Sequence, residues 1–359
     1  MGSKAVTINP KAEGNMPKAT LGIQSDVAFN EAAKRLCGRD LCSIADLTVQ
    51  EVAAIMELSH AVKSNPEDFR QALDGKQMVL FFEKASLRTR ITFEAAINTL
   101  GGNAVFFDQT QSPLGERESI PDMAHNIERW MNILVLRTYS HDTITEMAAC
   151  SRIPVINALS DLEHPCQALA DFFTLEERFG SVEGLRFTYV GDGNNVCHSL
   201  MLTAAQLGVH STVATPKGFA PKLEIIHKAI EIAEQTGGSI TLMNDPVKAV
   251  EGAGAVYTDV CTSMGFEHEA TRRAPIFKPY QVNEQLMSYA HQDAVFMHCL
   301  PAHRNAEVTD AVLDGPQSVV FDQAENRMHA QKALLLMLLG GAKRIPNSRD
   351  RSGHARKRS

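Results

Sequence analysis

The chain has 359 residues, 44% of them hydrophobic, and a formal net charge of -7. That length is more than one small core needs and implies two domains of ordinary size with the interior of a globular protein. The net negative charge gives no electrostatic reason for nucleic acid or a membrane surface as partner. Seven cysteines are scattered at Cys37, Cys42, Cys150, Cys166, Cys197, Cys261 and Cys299, odd in number and without a CxxC pair. A disulfide framework is not expected, and a reducing compartment is. No run approaches the roughly 20 apolar residues of a membrane span. The polar start, Met1 to Asp26, lacks an apolar signal core, and no arginine precedes Arg35. A cytoplasmic protein is expected.

In chain order, residues 1–40 read as a flexible leader rich in Gly, Pro, Lys and Ala. Short apolar runs then alternate with longer amphipathic stretches. Strands are predicted at Met78–Phe82, Ala104–Phe107, Ile133–Leu136, Pro154–Asn157, Arg186–Val190, Ser211–Ala214, Ile240–Met243, Ala255–Thr258, Ala294–Met297 and Ser318–Phe321. Helices are predicted at 48–63, 88–100, 118–129, 141–149, 165–179, 195–207, 221–235, 279–290 and 323–338. This alternation predicts an α/β protein with mainly parallel sheets flanked by helices. Ten strands exceed one modest sheet, so two domains are expected, divided within the helix after His164. The basic end, 343–359, reads as a solvated, disordered tail.

Five segments carry candidate chemistry. Ser86-Leu-Arg-Thr-Arg90 follows a strand and opens a helix, with Ser86 as N-cap. A helix N-terminus with Arg88, Arg90 and two hydroxyls makes an oxyanion cradle, the bland alternative being a capped helix with surface arginines. Gly191-Asp-Gly-Asn-Asn-Val196 also links strand to helix, but Val196 stands at the third glycine position of a dinucleotide fingerprint. A small polar ligand at Asn194 or Asn195 competes with a nicotinamide cofactor there. His164-Pro-Cys-Gln167 begins a helix, with side chains suited to a planar polar ligand. Asp259 and the run His298-Cys-Leu-Pro301 end apolar strands, where open α/β sheets place ligand groups. An acid there meets an ammonium group or caps a turn. A zinc site on His298, Cys299 and His303 is disfavoured, because adjacent strand residues face opposite ways and no second cluster has zinc spacing.

In order and spacing these pieces resemble the aspartate/ornithine carbamoyltransferase family over about residues 40 to 340. The motifs are Ser86–Arg90, Arg137-Thr-Tyr-Ser-His141, His164–Gln167 and Phe321-Asp-Gln-Ala-Glu-Asn-Arg327. Asn194-Asn195, Asp259 with Ser263-Met264-Gly265, and His298–Pro301 are similar to the ornithine branch. Leu87 stands where bacterial members usually have Thr. Pro113 stands where a neighbouring subunit's glutamine often completes the site, which leaves Gln109 or Gln111 as substitutes. Cys261 replaces an aromatic residue.

The resemblance implies transfer of a carbamoyl group from carbamoyl phosphate to the side-chain amine of L-ornithine, in arginine biosynthesis, without metal or organic cofactor. It implies a homotrimer. The implied domains are 41–170 plus 328–342 for carbamoyl phosphate and 171–327 for ornithine. Ser86, Leu87, Arg88 and Thr89 are expected to hold phosphate. Arg137, His164 and Gln167 are expected at the carbamoyl group, with Cys299, Leu300 and Arg327 closing over it. Asn195, Asp259, Ser263 and Met264 are expected at the amino-acid end of ornithine. Arg137, His164 and Cys299 carry the chemistry, Cys299 by orienting the amine. Putrescine or aspartate as acceptor, a nicotinamide-dependent enzyme and a non-catalytic binding protein are the competing readings.

Overall fold

A computed structural model describes residues 25–109, 114–261 and 269–344. Its nine strands are β1 (Gln77–Phe82), β2 (Asn103–Asp108), β3 (Ile133–Arg137), β4 (Val155–Leu159), β5 (Arg186–Val190), β6 (His210–Ala214), β7 (Ser239–Met243), β8 (Ala255–Thr258) and β9 (Val295–His298). They form two all-parallel sheets, ordered β2-β1-β3-β4 and β7-β6-β5-β8-β9.

Alternation of side chains along each strand explains why both faces are covered. In β1, Met78, Leu80 and Phe82 enter the main core while Val79 and Phe81 enter a second cluster. In β9, Val295 and Met297 join the main core and Phe296 a third cluster on the outer face. The main core runs under both sheets. Helix Pro165–Phe179 passes from one to the other, and the last helix, Val320–Leu339, packs on it and on helices Val49–Ser64 and Leu87–Thr99 of the four-stranded half.

Four sequence expectations need correction. The tenth strand, Ser318–Phe321, is a single bridge from Ser318 to Phe296, and the helix already begins at Val320. A short apolar run does not by itself distinguish strand from helix start. The leader is helical from Asp26 to Leu36, because Phe29, Ala32 and Leu36 are buried against the neighbouring helices; residues 1–24 lie outside the described residues. Of the basic tail only Lys343 and Arg344 are described, and Arg344 is held by Glu57 (2.5 Å) and Asp26 (2.6 Å); residues 345–359 lie outside the described residues. The predicted helix 279–290 is broken into a turn at Lys278–Tyr280 and a short helix at Glu284–Met287 capped by Asn283. A helix at Ala270–Phe277, unpredicted because Pro275 interrupts its pattern, completes this region.

Candidate active site

In open parallel sheets, ligands sit at the carboxyl ends of strands, at the point where strand order reverses. Both sheets obey this rule and face each other across a cleft of 510 Å³. From the four-stranded sheet, β1 leads to Ser86, β3 ends on Arg137, and β4 leads to His164. From the other, β5 leads to Asp192–Asn195, β8 to Asp259, and β9 to Cys299 and Leu300.

Ser86 caps helix Leu87–Thr99, its hydroxyl accepting from the Thr89 N–H at 3.2 Å. The other first-turn N–H groups of a helix have no intrahelical partner and point outward. Ser86, Leu87, Arg88, Thr89, Arg137, His164, Gln167, Asn195, Asp259, Cys299, Leu300 and Arg327 all line the cleft. Ser263 and Met264 lie outside the described residues. Arg90, the second arginine of the cradle motif, turns away: it pairs with Glu94 (2.9 Å) and stacks over Phe106. One helical residue in two cannot face the same side. Gln109 does not line the cleft of its own chain, and Gln111 and Pro113 lie outside the described residues.

Among the described residues, the guanidiniums of Arg88, Arg137 and Arg327 at the first end have no carboxylate at ion-pair distance. Burial lowers the pKa of Arg137 to about 9, with the charges of Arg327 and Arg88 adding to it. Burial also lowers Arg327 and Arg88. Among the described residues, Arg327 bonds to neutral oxygens, those of Gln167 and of Thr89 (2.7 Å). The Nε atoms of Arg137 and Arg327 and Nδ1 of His164 are buried without a hydrogen-bond partner. Burial and then the two arginines hold His164 well below its ordinary range, so its imidazole is neutral. Buried unpaired cations are costly, and an anion arriving here removes that cost.

The second end is acidic and already paired. Asp259 accepts from Asn194 Nδ2 (2.7 Å) and from the Cys299 thiol (3.0 Å). Asp192 pairs with Arg273 at 2.5 Å. Burial, then the charge of Asp259, push the Cys299 thiol well above its ordinary value. A protonated thiol is a poor nucleophile. The metal-like trio is Asp259, His298 and Cys299, with ligand atoms within 4.8 Å of one another, and does not include His303. Both ring nitrogens of His298 are engaged, Nδ1 with the Leu300 N–H (2.9 Å) and Nε2 with Glu307 (3.2 Å). Leu300 holds φ at +56°, a costly conformation for leucine that this bond to His298 secures.

The glycine turn after β5 has a structural cause. A Cβ on Gly193 would lie 2.3 Å from the Pro221 nitrogen, so the glycine permits close approach of that loop. Asn194 accepts from the N–H groups of Val196 and Cys197 (3.1 Å each), filling the helix end where a pyrophosphate would sit. Sequence reasoning missed Lys84, Asp192, Lys222 and Arg273, all lining the cleft. It also missed Glu83, whose carboxylate anchors the N–H groups of Leu114 and Tyr139 (2.8 Å each) and so shapes the loop before Ser86. Only Asp192, inside the glycine turn, carried a local signal.

Known proteins match this chain over most of its length. The family model for the aspartate/ornithine carbamoyltransferase carbamoyl-P binding domain matches residues 39–177, and that for the Asp/Orn binding domain matches 183–338. The ornithine carbamoyltransferase of Pyrococcus horikoshii is 47% identical over 313 residues, covering 86% of this chain and 98% of that protein. That of Shewanella oneidensis is 50% identical over 296 residues, covering 82% and 98%. The solved ornithine carbamoyltransferase of Pyrococcus furiosus superposes with a TM-score of 0.83 at 46% identity, covering 86% of this chain and 99% of its own. The Giardia lamblia enzyme, ornithine transcarbamoylase, does so with a TM-score of 0.78 at 36% identity, covering 85% and 99%. With the two domain models spanning most of its length and the strand-end cleft between two parallel sheets, the chain belongs to the aspartate/ornithine carbamoyltransferase family.

Proposed function

We propose that the protein transfers the carbamoyl group of carbamoyl phosphate to the side-chain amine of L-ornithine, giving L-citrulline and phosphate. The observation that carries this reading is the polarity of the cleft: three arginines without carboxylate partners among the described residues at one end, acids at the other. A dianionic donor suits the first end and an acceptor with ammonium groups the second. Aspartate as acceptor would bring a second carboxylate toward Asp259 and Asp192, which disfavours it.

Ser86, Leu87, Arg88 and Thr89 hold the phosphate, through backbone N–H groups, hydroxyls and the Arg88 guanidinium. Arg137 and neutral His164 donate to the carbamoyl oxygen as negative charge develops on it. Gln167 presents its amide to the carbamoyl nitrogen, and Arg327 and Leu300 close over the donor. Asp259 meets the α-ammonium of ornithine, and Asn195, Ser263 and Met264 meet its carboxylate. The neutral side-chain amine, oriented by the protonated Cys299 thiol, attacks the carbonyl carbon. The bond from that carbon to the phosphate oxygen breaks, and the leaving phosphate takes the proton from nitrogen. No covalent enzyme intermediate is required.

The domain division follows from the same reading: 41–170 plus 328–342 bind carbamoyl phosphate, and 171–327 bind ornithine. We read the enzyme as a cytoplasmic homotrimer in arginine biosynthesis. The seven cysteines are free, in keeping with a reducing compartment, and no helix among the described residues is long and apolar enough to cross a membrane. Edge strand β2 exposes Val105 and Phe107, an apolar edge that assembly would cover. A relative of 46% identity from Pyrococcus furiosus is named as the anabolic enzyme. The test is a colorimetric citrulline assay with carbamoyl phosphate and ornithine, putrescine, N-acetylornithine or aspartate. Ornithine should be carbamoylated fastest, and a preference for putrescine would overturn the acceptor assignment.

A further inference from the structure

Asp171 does not line the cleft, yet its carboxylate is fully buried, and among the described residues it has no cation at ion-pair distance. A buried acid with no counter-ion is destabilising unless hydrogen bonds offset its desolvation. Its Oδ1 accepts two amide donors, Gln167 Nε2 at 2.7 Å and Gln323 Nε2 at 2.6 Å. Burial raises its pKa to about 7, against the bonds from Gln167 and Gln323. Oδ2 has no hydrogen-bond partner. Oδ1 therefore remains an acceptor whether or not Oδ2 carries a proton.

Of the two amides, Gln167 lines the cleft, and Gln323 grips strands whose ends line its other side. Gln167 lies one helical turn before Asp171, and its two amide atoms are nearly isosteric, so a neighbour must decide which one faces the cleft. With Nε2 held by Asp171, Oε1 is turned to Arg327 and the donor end. Gln323 lies one turn before Arg327 on the last helix. Its Oε1 accepts from the His298 N–H at 3.0 Å, immediately before Cys299, and its Nε2 lies 3.2 Å from the Tyr257 hydroxyl, two residues before Asp259. One carboxylate oxygen thus meets both the donor-side glutamine and the glutamine gripping the ends of β8 and β9.

We propose that Asp171 is a positioning residue that sets the amide of Gln167 toward the carbamoyl group and, through Gln323, holds the strand ends bearing Cys299 and Asp259 in register with it. The inference rests on the carbamoyl-transfer reading above. Its effect is on both substrates at once, whereas cutting the Gln323 branch alone affects only the acceptor end.

Three variants separate this from core packing: Asp171→Leu, Asp171→Asn and Gln323→Leu. Carbamoyl phosphate affinity is measured by calorimetry without ornithine, kcat and KM for ornithine in steady state, and folding by thermal melting. Asp171→Leu should weaken donor binding and lower kcat, each by roughly tenfold or more, the worth of a hydrogen bond to a charged group. Asp171→Asn keeps an acceptor oxygen and should return both to within about threefold of wild type. Gln323→Leu should lower kcat/KM for ornithine about tenfold while donor affinity stays within about twofold. A cooperatively melting Asp171→Leu protein with wild-type donor affinity and kcat would overturn the proposal. So would a Gln323→Leu protein that loses donor affinity and ornithine turnover equally. If Asp171→Leu does not fold, a crippled Asp171→Asn enzyme beside a normal Gln323→Leu enzyme overturns it as well. Donor binding is read without turnover, so a wild type that binds carbamoyl phosphate but makes no citrulline counts against the acceptor reading, and the donor arm still tests Asp171.

Discussion

At the end of the cleft beneath the four-stranded sheet, Arg88, Arg137 and Arg327 have no carboxylate partner among the described residues. At the opposite end, Asp192 already holds Arg273, and Asp259 already holds Asn194 and Cys299. The first end stores the cost of unneutralised buried charge, and a dianion arriving there relieves it. The second end stores little, and an ammonium group must share partners that the protein has supplied. Under the proposed assignment of donor and acceptor, that difference predicts tight donor binding and weaker, more exchangeable acceptor binding.

The sharpest way to break the comparison is Arg137→Met, which removes an unpaired cation while keeping length. Loss of a charge-assisted contact in a desolvated site costs about 2–5 kcal/mol, or roughly 30- to several-thousand-fold. Calorimetry should show carbamoyl phosphate affinity falling by that factor with the fold retained. Unchanged affinity would mean that the first end is not charged for its ligand.

Glu163, buried beside His164, is an intermediate case: it has hydrogen bonds but, among the described residues, no countercharge. It accepts from Ser43, the Ile44 N–H (3.1 Å) and Ser199 (2.9 Å), and Ser199 in turn accepts from the His164 N–H. Burial raises its pKa from 4.5 to about 7 despite those bonds. The folded state thus binds the proton more tightly than the unfolded state. Its contribution to stability is complete below pH 4.5, declines as pH rises and is lost above pH 7, a span worth about 3 kcal/mol. Glu163→Gln removes that slope, so its stability relative to wild type should be higher at pH 8 than at pH 5. Urea unfolding at both pH values checks it, and an equal difference at both would show that the acid does not titrate in this window.

Asp259→Asn tests the paired end. Size and one acceptor remain while the charge goes, so kcat/KM for ornithine should fall by about 1.5–3 kcal/mol, roughly ten- to a hundredfold. Donor affinity measured without ornithine should not move. A parallel fall in donor affinity would show that the two ends are not electrostatically separate.

The smallest effect should come from Arg90. The two arginines of the Ser86–Arg90 motif look alike in sequence, but Arg90 pairs with Glu94 outside the cleft. An exposed pair four residues apart is worth about 0.3–0.5 kcal/mol. Arg90→Ala should leave carbamoyl phosphate affinity within about twofold, whereas Arg88→Ala should weaken it clearly. Equal losses would place both arginines on the ligand.

Local pattern alone was enough for nine strands, the Ser86 cap, the helix beginning at Pro165 and the strand-end positions of Arg137, Asp259 and Cys299, because each depends on residues a few positions apart. It failed where a segment's state depends on what it packs against. Ser318–Phe321 looks like a strand but starts the last helix, and the leader is helical from Asp26 because distant helices bury Phe29 and Leu36. At the arginine-bearing end of the cleft, Ser86, Leu87, Arg88 and Thr89 were legible as a group because they lie on one turn. The acceptor end was only half legible, since Asn194 and Asp259 are 65 residues apart, Asp192 and Arg273 are 81 apart, and Asp259 and Cys299 are 40 apart. The joining of the two ends through Asp171, Gln167 and Gln323 spans 152 residues of chain. Hydrogen-bond partners at that separation leave no periodic trace in a sequence; they are fixed only when the last helix folds back over the first sheet.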